Sequence, residues 1–496
     1  MRIIGNDPSV PRQTQKVASG TLPNGKAVIV NADGTVSVVA GSDTTSGSVA
    51  QFEAGNIQKP RSTYATVDNK IVIAYADLGN SYYGTAVVGT VSGTSITFQT
   101  PVVFNSAQSN ADIAITYDPT AASNDGRVFI AFQAGNTNTG KCKTGYFTEA
   151  GNIAFNGEET FRNNDLSQLV AAFDSNANKT LLVYRNALAG PNKNEARVVT
   201  ISADGSTPSF GTEVFLPTQG DAHVPSRTNI CFDSNVNKFL VIWYDSNDGN
   251  KGKSAVGTIS GTNVSFGSTV TFHDASTDWM ACSFDPDTNK ILVVYEDVAD
   301  SNKGKAVVGT ISGTSISYGS EVEIGNSSAT VSTIGAVYDT NLNAHVITYR
   351  PDSATRTLET VTAQISGTTA TFSSPVSLTN SVSDQLAFPV FDPDTNKVIL
   401  AYGDENDSDK GKAIVLTPGL GSNMTTENYI GIARSGAASG SGAIIDTQGA
   451  IADNLSGLTA GQSYYVQTDG TLGTTAADPS VFAGTAVSAT KLIVKG

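Results

Sequence analysis

One short pattern recurs seven times along this chain and constrains its fold more than any other feature. In its fullest form Phe284-Asp285-Pro286-Asp287-Thr288-Asn289-Lys290 leads into the apolar run Ile291–Tyr295. The same seven residues stand at Phe391–Lys397, again before an apolar run. Weaker copies are read at Asp68, Asp118, Asp174, Asp233 and Asp339, which places successive aspartates 50, 56, 59, 52, 54 and 53 residues apart. Strand-like content at a period near fifty predicts a circular or stacked β array.

The stretch Trp279–Ile324 serves as the reference repeat. Met280–Phe284 reads as a first strand. Asp285–Asn289 reads as a turn, with Pro placed to open it and Asn able to close it. Ile291–Tyr295 is apolar throughout, as expected of a strand buried on both faces. Lys305–Ile311 reads as a third strand, Ser312-Gly313-Thr314 as a hairpin, and Ser315–Ile324 as a fourth strand. Similar hairpins recur at Ser92-Gly93-Thr94, Ser260-Gly261-Thr262 and Ser366-Gly367-Thr368. Four antiparallel strands in about fifty residues match a propeller blade. The seventh copy stops at Pro418-Gly419 without a fourth strand. Gly47–Phe52 resembles Gly319–Ile324 and would supply it, covering an edge otherwise open to aggregation. The expectation is an all-β, seven-bladed β-propeller over residues 46–419, with residues 47–54 closing the last blade. The rival is a β-solenoid, which has no need of such a closing strand.

Residues 1–45 and 420–496 lie outside the repeat and read as small β segments at the two ends. Leu22, Gly25, Val30 and Asp33-Gly34-Thr35 keep the same spacing as Leu458, Gly461, Val466 and Asp469-Gly470-Thr471. Each set reads as a hairpin with an Asp-Gly turn, and the pair reads as docking pieces.

Composition narrows the function classes. Charged residues make up 15% of the chain and the net charge is −15, so the basic footprint of a nucleic-acid binder is missing. No apolar run of membrane-spanning length occurs, so membrane insertion is not expected. Met1–Pro8 lacks the apolar core of a signal peptide, which points to another way out of the cell, such as assembly into a particle. Cys142, Cys231 and Cys282 are an odd set without metal-ligand spacing and read as buried thiols.

Three stretches of the tail carry a resemblance. They are Asn428–Ala433, Gly457–Val466 and Gly484–Lys495. Together they resemble a small C-terminal module of structural proteins of tailed bacteriophages, especially marine and cyanobacterial ones. The stretch Val17–Val39 also resembles segments of such proteins. The resemblance implies a virion component assembled in the host cytoplasm, with other tail or capsid proteins as partners and a homo-oligomeric state. It carries over no catalytic residues and no cofactor.

The candidate chemistry is sparse. His223, His273 and His345 occupy unlike positions in the repeat, and His345 reads as structural. The loops Asp245–Asn250, Asp297–Asn302 and Asp404–Asp409 cluster side-chain oxygens but lack the closing glutamate of a calcium loop. They read as solvated turns that pair with the lysines after them, so no metal site is assigned. Seven symmetric aspartates read as turn-formers, because an active site needs one special constellation. The expectation is therefore a non-enzyme. Variable loops on a rigid ring suit recognition. Tyr82 and Tyr83 in one such loop, with His273, Asp278 and Trp279 in a linker between blades, are the candidate ligand-binding residues. Aromatic faces beside Asp suit a host surface glycan. The reading is a tail fibre or spike that aids host attachment; the alternatives are a capsid decoration or head-fibre protein and a virion glycan hydrolase.

Overall fold

The computed structural model describes residues 12–108, 113–135, 139–163, 166–186, 193–217, 228–325, 330–351, 356–380, 382–386, 388–477 and 480–495. The chain divides into two compact units, one of residues 44–418 and one of residues 1–43 with 419–496. His223 lies outside the described residues.

In residues 44–418 each repeat forms an antiparallel sheet. In the reference repeat the inner part of Val270–Asp285 pairs with Lys290–Asp297, which pairs with Lys303–Ser312. The expected fourth strand is split. Ser315–Tyr318 and Val322–Glu323 both pair with Lys303–Ser312, and a break at Gly319 separates them. The cause is close backbone approach: a Cβ on Gly319 would lie 2.0 Å from the carbonyl oxygen of Thr368, in the hairpin of the next repeat. Gly211 and Gly267 meet Thr262 and Thr314 in the same way, each at 1.7 Å.

The second strands explain why the sheets stack. Ile71–Ala76 is buried along its whole length, and successive side chains enter two different cores. Ile71, Ile73 and Tyr75 pack with Ile399 and Ala401 of the last repeat. Val72 and Ala74 pack with Val128 and Ile130 of the second. A sheet apolar on both faces needs a neighbour on each, because alternate residues point to opposite sides. Among the described residues such a core joins every successive pair of repeats, and one joins the last to the first. Neighbouring first strands also touch in succession, from Ala50–Ala65 against Ile113–Asp118 round to Val390–Asp392 against Ala50–Ala65.

The last repeat takes its outer strand from the front of the unit. Thr45–Ser46 pairs with Leu416 and Thr417, and Ala50 and Gln51 pair with Ala413 and Lys412. A Cβ on Gly47 would lie 1.7 Å from the carbonyl oxygen of Thr94, the contact made by Gly211, Gly267 and Gly319 elsewhere.

The repeated aspartate shapes its own turn. Asp285 Oδ1 accepts from the backbone N–H of Asp287 at 2.9 Å and of Thr288 at 3.0 Å. Asp118, Asp174, Asp233, Asp339 and Asp392 do the same. The turn then closes on a left-handed residue, such as Asn289 at φ 56° or Asn396 at φ 54°, a conformation Asn tolerates. The first repeat needs a correction. Lys70 pairs with Ala65 as Lys290 pairs with Asp285, so Ala65 holds the aspartate's place and Asp68 stands three residues beyond it. Counted from Ala65, the short first interval becomes 53 residues, in line with the rest.

The other unit is built from both ends of the chain. Its first sheet has the order Gln13–Val17, Gly442–Asp446, Tyr429–Ala433, Ala27–Val30, Val36–Val38. Its second has the order Ile451–Ala452, Lys491–Val494, Val481–Ser488, Ser463–Val466, Leu472–Gly473. The two orders match strand for strand, so the shared hairpin spacing belongs to a duplicated five-stranded module. Asp33 Oδ1 accepts from the Thr35 N–H at 2.9 Å and hydroxyl at 2.6 Å, and Asp469 holds Thr471 at the same two distances. Gly431 and Gly484 occupy equivalent places with φ 149° and 154°. A Cβ on either would lie 2.0 or 2.1 Å from a carbonyl oxygen of the neighbouring strand. In the second module the third and fourth strands are joined by residues 474–480. In the first, the whole of residues 44–418 stands at that point.

Candidate functional site

The junctions between successive repeats are built on one plan. At four of them an aromatic residue near the end of the outer strand packs on the next repeat, and Leu216, Ile324 and Leu378 hold that place in the other three. Phe52 meets Tyr75 at 5.3 Å between ring centroids, Phe104 meets Phe132 at 5.1 Å, Phe161 meets Tyr184 at 5.6 Å and Phe272 meets Tyr295 at 5.3 Å. A glycine at the head of the third strand makes room: a Cβ on Gly84, Gly252 or Gly411 would lie 2.4 Å from such a ring. The residue after the aromatic is Glu53, Asn105, Arg162 or His273, and this position varies in charge from one junction to the next.

The junction at Arg162 opens into a recess of about 290 Å³ lined by Thr160, Phe161, Arg162, Asn163, Arg197 and Glu213. Arg162 ends the strand Glu159–Arg162, and a register break at Gly140 and Lys141 sets its position. Its guanidinium lies 5.5 Å from the Tyr184 ring centroid and pairs with Glu195 and, at 3.1 Å, with Glu213. Glu213 also accepts from the Tyr184 hydroxyl at 2.9 Å. Asn186 donates to Glu195 at 2.8 Å. Arg197 donates to the carbonyls of Phe161 and, at 3.0 Å, of Gly211, and lies 5.5 Å from the Phe210 ring centroid. Side-chain exposure is 8% for Arg162, 4% for Glu195 and 40% for Glu213, so Glu213 is the open acceptor. Burial and the nearby Glu213 push the Tyr184 hydroxyl well above the ordinary phenol range. The result is a polar recess with fixed guanidinium groups and a carboxylate acceptor, floored by the buried Phe161.

At the junction of the fourth and fifth repeats His273 takes the place of Arg162. It is buried, with Nδ1 at 2.5 Å from Glu321 and Nε2 at 3.2 Å from Asp297. The Tyr295 hydroxyl donates to Glu321 at 2.6 Å. Asp297 in turn pairs with Lys305 at 2.7 Å.

The residues expected from sequence fall in separate places. Tyr82 lies in a turn at φ 61° and Tyr83 begins the third strand of the first repeat. Asp278 and Trp279 sit together at a register break on Val270–Asp285. Trp279 packs on the core that holds Val331 and Tyr349, between the fifth and sixth repeats, while His273 belongs to the junction before it. The tyrosines are thus not brought together with the other three. The acidic loops are met by lysines, as Lys253 with Asp248 at 2.7 Å, Lys305 with Asp300 at 3.0 Å and Lys412 with Asp407 at 3.0 Å. Among the described residues no group of His, Cys, Asp and Glu is arranged to hold a metal ion. The three cysteines are buried free thiols, and burial pushes Cys142 and Cys282 up. No helix among the described residues is long and apolar enough to cross a membrane.

The chain matches no protein-family model and no curated protein sequence. Among solved structures it is similar to the BP39L lectin of Burkholderia pseudomallei, with a TM-score of 0.55 at 11% identity, over 73% of this chain and 97% of the lectin. It is also similar to the periplasmic gluconolactonase PpgL of Pseudomonas aeruginosa (TM-score 0.42, 12% identity, 74% of this chain and 95% of that one) and to the Dos1 propeller (TM-score 0.44, 10% identity, 76% and 95%). At such identities the likeness concerns the fold alone. The class, an all-β protein of the β-propeller type, is given by the structure's own sheets, in which a core joins each repeat to the next and the last to the first.

Proposed function

We propose that residues 44–418 form a seven-bladed propeller of four-stranded blades and that this propeller binds carbohydrate. Support for the blade count comes from the run of inter-sheet cores that returns from the last repeat to the first, and from the Gly47–Thr94 contact. The observation that carries the binding reading is the recess at Arg162, Arg197 and Glu213. A saccharide offers hydroxyls that both donate and accept, beside an apolar ring face. Fixed guanidinium groups and an exposed carboxylate complement those hydroxyls. Both carboxylates are held by Arg162, which suits accepting a hydrogen bond better than delivering a proton. The reading is therefore recognition without cleavage.

The resemblance of the terminal segments extends the proposal to a virion surface protein of a tailed bacteriophage, in a tail fibre or spike, with a glycan of the host surface as ligand. Two measurements test it. Intact protein on a glycan array should retain at least one carbohydrate class, and Glu213→Gln and Arg197→Met should weaken that binding at least tenfold. An array without binding would remove the carbohydrate reading, and release of sugar from host envelope would make the protein a hydrolase. Immunogold label over the tail is the expected virion result. Label over the head would favour a decoration protein, and unlabelled particles would remove the virion reading.

A further inference from the structure

The two terminal modules match strand for strand, yet they differ in chemistry at one place. Asp446 stands opposite Gln13 on one neighbouring strand and Ile432 on the other. Its counterpart in the second module, Ile493, stands opposite Ile451 and Thr485. By the same register Arg12 corresponds to Ala450, and Arg434 to Val487. The first module thus sets Arg12, Gln13, Arg434 and Asp446 where the second sets Ala450, Ile451, Val487 and Ile493. The second module shows that this sheet forms with apolar residues at all of these positions.

For folding alone the polar set is the worse choice. The Asp446 side chain has no exposed surface. Its Oδ1 accepts from Gln13 Nε2 and from the Arg434 guanidinium, each at 2.9 Å, while Oδ2 is buried without a partner. A buried carboxylate with one oxygen unmet loses hydration that an aliphatic side chain never had. What the arrangement supplies is a guanidinium held in place. Asp446 accepts from one of the Arg434 amino groups, and the Arg434 side chain stays 39% exposed.

Arg434 and Arg12 both line an open recess of about 400 Å³, walled otherwise by Gln13, Ala450 and Ile451. Arg12 is anchored through its main chain, whose carbonyl accepts from the Thr447 N–H at 2.9 Å. Among the described residues no carboxylate pairs with its guanidinium. Asp453 acts on Arg434 through its charge alone and does not line the recess. Arg12 and Arg434 set against Asp446 leave one positive charge there. A guanidinium fork fits a carboxylate, and Ile451, 47% exposed, offers an apolar surface beside it.

We propose that this recess binds a small organic acid, with its carboxylate on Arg12 and Arg434 and its apolar body against Ile451. The site belongs to the unit of residues 1–43 with 419–496. It stands independently of the carbohydrate reading, since none of its residues lines the Arg162 recess.

Ligand-observed NMR titration of the intact protein with benzoate tests the assignment, with benzyl alcohol as the neutral isostere. Benzoate should bind saturably, and benzyl alcohol at least tenfold more weakly. Arg12→Gln should weaken benzoate at least tenfold, while Lys16→Gln, at an exposed position on the same strand, should leave it unchanged. The double variant Asp446→Ile with Arg434→Val installs the second module's pair. It should melt at or above the wild-type temperature and also lose benzoate at least tenfold. Absence of saturable benzoate binding would overturn the proposal, as would equal binding of the alcohol. Binding that survives Arg12→Gln or the double variant would put the acid elsewhere. A double variant that does not fold would show that the sheet itself needs the polar set, and would remove the argument for a ligand.

Discussion

His345 should make residues 44–418 lose stability in mild acid. It stands on the second strand of the sixth repeat with no exposed surface. Its Nδ1 lies 2.5 Å from Ser283 Oγ, and the Tyr338 ring stands edge-on at 5.0 Å. Burial pushes the imidazole down to about 4 from an ordinary value near 6.5. The folded pKa is therefore below the unfolded one. Above about pH 6.5 both states are neutral and nothing is lost. As pH falls below that, the unfolded chain takes up a proton that the folded one refuses. At about 1.4 kcal/mol per pKa unit, the loss is about 2 kcal/mol at pH 5 and about 3 kcal/mol at pH 4, and it levels off below that. Both tryptophans, Trp243 and Trp279, lie in this unit, so urea unfolding followed by tryptophan fluorescence reports on it. Carboxylates also titrate in this range, so the comparison is with His345→Gln, which keeps a polar group near Ser283 and does not titrate. The wild-type advantage over the variant should shrink by about 3 kcal/mol between pH 7.5 and pH 4. Parallel stability curves, or a His345 ring signal titrating near pH 6.5 in the folded protein, would refute the reasoning.

Two further outcomes follow from the architecture. Residues 12–43 joined to 419–496 by a loop the length of 474–480 should fold cooperatively. The two connections already run side by side, with the Gly421 N–H donating to the Ser42 carbonyl at 3.1 Å and the Asn423 N–H to the Ala40 carbonyl at 3.1 Å. A disordered product by NMR would show that the module needs its insert. Gly47→Val should cost about 1–3 kcal/mol in urea unfolding, by forcing a side chain against the Thr94 carbonyl where the last repeat meets the first. A variant as stable as wild type would mean that this contact does not hold the ends of the unit together.

Much of the fold was legible because its strongest constraint is local. An aspartate that caps its own turn, an Asn that closes it, and an apolar strand behind it all sit within about a dozen residues. The first repeat misled because Ala65 replaced the aspartate while Asp68 stood close enough to be taken for it. The split of the fourth strand was not legible, because its cause is a carbonyl oxygen of the next repeat about fifty residues away. The duplication at the termini was half legible. The Leu-Gly-Val-Asp-Gly-Thr spacing marked one hairpin of each module, and Tyr429-Ile430-Gly431-Ile432-Ala433 against Phe482-Ala483-Gly484-Thr485-Ala486 marks another strand of each. The interposition of residues 44–418 separates the parts of the first module, so no continuous alignment of the two copies exists in the sequence.

The recess at Arg162 was hidden for a related reason. Its residues come from an outer strand, from the next repeat's third strand and from the break in that repeat's split outer strand, so nothing local joins Arg162 to Arg197 and Glu213. The available signal was a contrast between repeats. In the four repeats that carry an aromatic near the end of the outer strand, the residue after it changes from Glu53 to Asn105 to Arg162 to His273. In these four the aromatic fills the space over a third-strand glycine, and its truncation would open a cavity. The next residue faces the junction, and its requirements are set by its partners: Glu195 and Glu213 for Arg162, Asp297 and Glu321 for His273. The solvent-facing acidic loops carry a more uniform signal, an aspartate with a lysine shortly after it. In those loops Asp248, Asp300 and Asp407 are already engaged by the lysines that follow them.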